Sequence, residues 1–154
     1  MLKVYERLTP KEMKYVSNGY ESFFIAFDGY GLKLFDELAH AERSHSRQER
    51  AEYAGLAPTV LSGVETFRFD EGMKKILNDK CRWNFANTMY GYKTEIVDVH
   101  LKWRGIAYEM EELRIDLLKI FEFISDLGRG NVGMKDGRLV LIDFGDCSFD
   151  GNYD

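Results

Sequence analysis

The chain has 154 residues, 45% of them hydrophobic and 14% aromatic, which supports one compact domain with a sizeable core and excludes a disordered polymer. Its net charge of −5 argues against general affinity for nucleic acid, and no apolar run approaches a membrane span or the core of a signal peptide. Cys81 and Cys147 have no metal-ligand spacing and make no disulfide framework, so reduced thiols and a cytoplasmic location are the expectation.

Thr9-Pro10-Lys11-Glu12 reads as a helix start: Thr9 caps, Pro10 suits the first helical position, and Glu12 closes a capping box. That helix is expected to end near Ser17-Asn18-Gly19. Phe23 to Phe27, Asp28-Gly29-Tyr30-Gly31 and Leu32 to Phe35 then read as strand, turn and strand. Lys33 points away from Leu32 and Leu34, as the two-residue period of a strand requires. On an edge strand it would face solvent. Residues 36 to 54 are polar and helix-prone, with Ser46 a candidate cap and Ser46-Arg47-Gln48-Glu49 a candidate capping box. His40, Arg43, His45, Arg47 and Arg50 on that helix are read most simply as a solvated face.

Gly55-Leu56-Ala57-Pro58 ends this helix, and Thr59 to Phe69 alternates as a strand pair does. Residues 70 to 91 hold Trp83 and further aromatics without a clear period. Tyr92 to Val97 reads as a strand that runs into a connection. From Ile106 the apolar positions continue at Met110, Leu113, Leu117, Ile120 and Ile124, the seam of one long amphipathic helix over 105–123. Burying each of those side chains contributes roughly 1.5–3 kcal/mol before entropy costs. A break at Tyr108-Glu109-Met110 would interrupt this helix, so the connection belongs near Thr94 to Val97.

The most informative stretch is D-L-G-R-G-N-V-G-M-K-D-G-R-L-V-L-I-D-F-G-D, from Asp126 to Asp146. Asp136-Gly137 between two apolar runs is a strong hairpin signal, since both central positions of a type I′ turn need positive φ. The run Leu139 to Ile142 is continuous and so reads as buried. Such a hairpin brings Asn131, at the start of one strand, close to Asp143 at the end of the other, with Asp126 upstream on the same rim. Three oxygen-bearing side chains gathered there suit a hard cation such as Mg²⁺.

In this D-x-x-x-x-N, hairpin and D-F-G order, the chain resembles the catalytic core of protein kinases and of related small-molecule kinases, including the aminoglycoside phosphotransferases. The resemblance implies an α+β, protein kinase-like bilobal fold: an antiparallel-sheet N-lobe over 1–97 and a much reduced helical C-lobe over 98–154. It also implies ATP and Mg²⁺ as cofactors. Asp126 takes the base position, and Asn131 and Asp143 take the metal positions. Lys33 falls where the family keeps its phosphate-pairing lysine on the third strand. Gly19, within Ser17 to Ser22, falls in place of the Gly-rich loop, with one glycine where protein kinases have three. Glu49 has the usual separation for the helix glutamate that pairs with the lysine; Glu52 and Glu42 are alternatives, and the capping-box reading of Glu49 competes. The backbone of Glu95 and Ile96 falls where adenine would bond. Ile124 stands where the family usually has His, and the tail after Asp143 carries no activation segment, no A-P-E and no further helices. Phage genomes commonly encode short kinase-like proteins of this appearance, so a phage origin follows by analogy.

Three functions follow as expectations. The first is an ATP- and Mg²⁺-dependent phosphotransferase acting on a hydroxyl or on itself, with Lys33 facing the Asn131 and Asp143 oxygens across a nucleotide-sized gap. The second is a pseudokinase or inhibitor that uses the fold to engage a host or cellular protein. The third, a metal-dependent hydrolase using Asp126, Asp143 and Asp146, leaves Asn131, the hairpin and Lys33 without a role. The partners expected are a nucleotide, a protein substrate or target, and a second copy of the chain completing the small C-lobe (a homodimer); membrane and nucleic acid are not among them.

Overall fold

The computed structural model describes residues 4–5, 15–18, 22–69, 71–80, 87–99, 101, 105–124, 127, 131–144 and 147–148. Over these the chain is α+β and divides into two compact units: 1–45 with 60–96, and 46–59 with 97–154. Residues 46–59, between the two stretches of the first unit, group with the second. Among the described residues no helix is long and apolar enough to cross a membrane.

The first unit is built on a sheet of β1 (Val4–Tyr5), β2 (Tyr15–Asn18), β3 (Phe23–Ala26), β4 (Gly31–Phe35), β5 (Glu65–Arg68) and β6 (Thr88–Thr94). Their order is β1-β5-β6-β4-β3-β2. All pairs are antiparallel except β1 with β5. Residues 15–18 therefore correct the expected helix end at Ser17-Asn18-Gly19. Tyr15 pairs with Ala26 and Asn18 with Phe23; the cap signals at 9–12 lie outside the described residues. Tyr and Val suit a pleated surface better than a helix end.

One face of the sheet packs Phe23, Ile25, Leu32, Leu34, Phe67 and Met89 with Met73 and Leu77 of α2 (Glu71–Lys80). On the other face Phe35 and Tyr92 pack with Ala41 of α1 (Leu38–Tyr53). Both faces of β4 are consequently covered, and every one of its residues is buried.

The helix α1 is continuous through Ser46, so Ser46 caps nothing and the expected capping box is absent. It ends in two reversed bonds, from Gly55 N–H to Glu52 O (2.8 Å) and from Leu56 N–H to Ala51 O (2.8 Å), which satisfy carbonyls that a helix end leaves orphaned.

In the second unit α3 (Ala107–Leu117) starts two residues later and ends six residues earlier than the helix over 105–123 that the seam predicts. After Leu117 the chain tightens: Lys119 N–H reaches Asp116 O, and both Ile120 and Phe121 donate to Leu117 O. Yet Ile106, Met110, Leu113, Leu117, Ile120 and Ile124 all join one core with Ala51, Leu56, Ala57, Phe121, Val132, Leu139, Leu141 and Phe144. The seam was a correct guide to burial and a poor one to backbone, because tight turns keep nearly the same spacing as a helix. Ile124 itself lies in β7 (Phe123–Ile124), which pairs antiparallel with β10 (Cys147–Ser148).

The hairpin of β8 (Val132–Lys135) and β9 (Arg138–Leu141) is closed by Asp136 and Gly137 alone. Their φ values of 51° and 79° are the pair that a type I′ turn demands. Register runs from Val132↔Leu141 to Lys135↔Arg138.

Candidate functional site

Lys33 sits on β4 between β3 and β6, where Phe24 and Tyr92 are its register partners. It is no edge lysine: β4 lies inside the sheet, and the residue is 8% exposed. Burying an ammonium is costly unless other groups meet it. One that does is the Tyr92 ring, whose centroid lies 5.8 Å from Lys33 Nζ, within the range in which a ring face attracts a cation. Tyr92 is in turn held firmly. Its hydroxyl and Ser44 Oγ share a 2.8 Å hydrogen bond, and the His45 ring stands edge-on to it at 5.0 Å. His45 Nε2 also lies 2.9 Å from Ser62 O.

Gly91, beside Tyr92, sets the spacing of β4 and β6. A Cβ there would collide with the Lys33 carbonyl oxygen, a backbone atom that cannot swing aside. Gly91→Ala is therefore expected to destabilise the fold by about 1–3 kcal/mol, the usual cost of overpacking. Urea unfolding of the purified variant checks this; an unchanged midpoint would show that the strands are not packed so closely.

In the second unit the hairpin places Asn131 and Asp143 at adjoining ends of its two strands. Asn131 immediately precedes β8, and its carbonyl accepts a 2.8 Å bond from Ile142 N–H. Asp143 follows directly. Asn131 is 8% exposed, whereas Asp143 is half-buried. Leu141 N–H donates to Leu56 O at 2.9 Å, tying the strand to the end of α1. After Asp143 the buried Phe144 ring packs against Phe121, with centroids 6.3 Å apart. Its carbonyl accepts a 2.8 Å hydrogen bond from Arg47 Nη1. The peptide that bears Asp143 is thus fixed on both sides.

Arg47 corrects the solvated-face reading of α1. It is 2% exposed, and Ser44 and Gln48 beside it are also buried, with Gln48 Nε2 donating to Pro58 O at 3.0 Å. Ala41, Ser44, Gln48 and Ala51 recur every three or four residues, so the buried stripe is periodic. It escapes a hydrophobic count because it is made of small and polar residues. Glu49, the expected partner of Lys33, is exposed, as is Glu42, while Glu52 is half-exposed.

Glu95 and Ile96 follow β6 without regular structure, Glu95 half-buried and Ile96 exposed. The Thr94 hydroxyl lies 3.4 Å from the Glu95 carbonyl oxygen. The chain divides after Ile96, and Asp98 bridges to Met134 through a 2.8 Å bond from Met134 N–H to Asp98 O. Asp126 and Gly19, the expected base and phosphate-loop glycine, lie outside the described residues, as does Asp146.

Among the described residues, no group of three or more His, Cys, Asp or Glu side chains could hold a metal ion. Asn131 and Asp143 are an amide and a carboxylate, both hard oxygen donors, and Asn131 is nearly buried. Two such ligands fit Mg²⁺, which takes few protein oxygens and fills its octahedron with phosphate and water. Sequence reasoning had no means of finding Arg47 by hydropathy, although the small-residue stripe around it was a usable signal. No family model, curated protein or solved structure matches the chain.

Proposed function

We propose that the chain is a minimal kinase-like phosphotransferase of the cytoplasm, moving the γ-phosphoryl group of ATP to a hydroxyl of another molecule or of itself. The observation that carries this reading is the hairpin, whose two-residue turn and register bring Asn131 and Asp143 to adjoining strand ends. Asn131 and Asp143 would hold Mg²⁺. Bound there, the ion would neutralise charge on the phosphoryl group being transferred. Asp126 would align the acceptor hydroxyl and take its proton, and Lys33 would steady the α- and β-phosphates. Catalysis of this kind is positioning and fixed charge rather than covalent chemistry.

Calorimetry with ATP in the presence and absence of Mg²⁺, followed by a turnover assay, tests the reading. Mg²⁺-dependent binding and turnover lost in Asp126→Asn support it; turnover that survives that change removes the mechanism. Lys33→Met separates function from stability. Methionine fills the stem's volume and removes a buried charge, so the melting temperature is expected to hold or rise, while turnover falls by about 10²-fold. A drop in melting temperature of more than about 5 °C would instead assign Lys33 a structural role.

Tyr108, Ile115 and Leu118, large apolar side chains exposed along α3 and the turn that follows it, favour a second reading, in which the chain uses the same fold to bind a host or cellular protein. Stoichiometric capture of one partner, unaffected by Lys33→Ala and Asp143→Ala, supports that alternative.

A further inference from the structure

Arg47 is a charged side chain spent deep inside the second unit. The residue is 2% exposed, and one of its guanidinium nitrogens donates to a main-chain carbonyl 97 residues away in sequence, that of Phe144. A neutral glutamine would serve a merely structural contact of this kind at lower desolvation cost, since burying a charge is expensive. What distinguishes Phe144 is its neighbour. The carbonyl that Arg47 grips belongs to the residue directly after Asp143, and on the other side Ile142 N–H is bound to Asn131 O.

Held at both points, the Asp143 peptide has little freedom to rotate. Its Cα–Cβ bond then leaves the backbone in one direction, which narrows the positions open to the carboxylate, and supporting groups around a metal site that orient the ligands raise affinity. We propose that Arg47 is a positioning residue for Asp143, setting the carboxylate for a divalent cation bound with nucleotide phosphates. The proposal rests on the phosphotransferase reading and deepens it.

Two measurements keep the failures apart. The first uses no nucleotide. In Arg47→Met, amide hydrogen exchange at Ile142 is expected to accelerate at least tenfold, while amides of β3 and β4 are unchanged. Unaltered exchange at Ile142 overturns the clamp whatever the protein binds. The second is a double-variant cycle read by calorimetry with Mn²⁺ and ATP. Arg47→Met is expected to weaken Mn²⁺-dependent ATP binding at least tenfold in the native background and to add nothing in an Asp143→Asn background. Arg47→Lys, which keeps one donor and the charge, should recover part of the loss.

Equal losses in both backgrounds, or a loss of metal-free ATP binding as well, would show a structural role and overturn the proposal. Should Arg47→Met fail to unfold cooperatively, Arg47→Lys is read in the same cycle against the same two outcomes. If the unaltered protein shows no Asp143-dependent binding of Mn²⁺ and ATP, the phosphotransferase reading falls, and the metal role of Arg47 falls with it. The exchange result then reports the clamp alone.

Discussion

Asp143→Asn is expected to lower ATP turnover by about 10²–10³-fold, a loss of roughly 3–4 kcal/mol of transition-state stabilisation. The change is nearly isosteric, and the bonds that hold the peptide, from Ile142 N–H to Asn131 O and from Arg47 Nη1 to Phe144 O, involve neither carboxylate oxygen. The fold is therefore expected to survive with its urea midpoint little changed, since Asp143 is only half-buried. What disappears is one negative charge from the proposed metal shell. Raising Mg²⁺, or replacing it with Mn²⁺, should recover part of the rate by restoring occupancy. Turnover equal to that of the native chain would remove Asp143 from the chemistry.

Phe121→Ala is the substitution expected to damage the fold most. The ring is 1% exposed, within the second core, and truncating a buried Phe to Ala costs about 3–5 kcal/mol. A domain's whole stability is of order 5–15 kcal/mol, so a large share would go. The ring also packs on Phe144, and its loss should loosen the segment that follows Asp143. Urea unfolding monitored by far-ultraviolet circular dichroism measures the first effect. The second appears as weaker Mg²⁺-dependent ATP binding by the protein that remains folded. A shift under about 1 kcal/mol would mean that the void left behind closes almost completely, contrary to a tightly packed core.

These residues also show where the sequence is legible. Asp136-Gly137 announced its hairpin because a type I′ turn is decided by local chemistry alone. Gly29 likewise marked the turn between β3 and β4. Burial of the seam from Ile106 to Ile124 was legible too, although its helix was read too long. Three kinds of information were not local. The strand at 15–18 depends on pairing with β3, which no cap signal encodes. The burial of Lys33 depends on which strands flank β4 and on what covers both faces. The inward face of α1 depends on Ser44, Arg47 and Gln48, polar residues whose burial is made tolerable by partners outside the helix. Of the site residues, Asn131 and Asp143 were legible as a pair because the same hairpin determines their proximity.

The closeness of that turn restricts how the gene can drift. Adding or deleting one codon between Val132 and Leu141 would tend to slide one strand past the other, sending Val132, Leu139 and Leu141 toward water and carrying the two polar termini out of step. Divergence in this lineage should accordingly accumulate within the hairpin as substitutions alone.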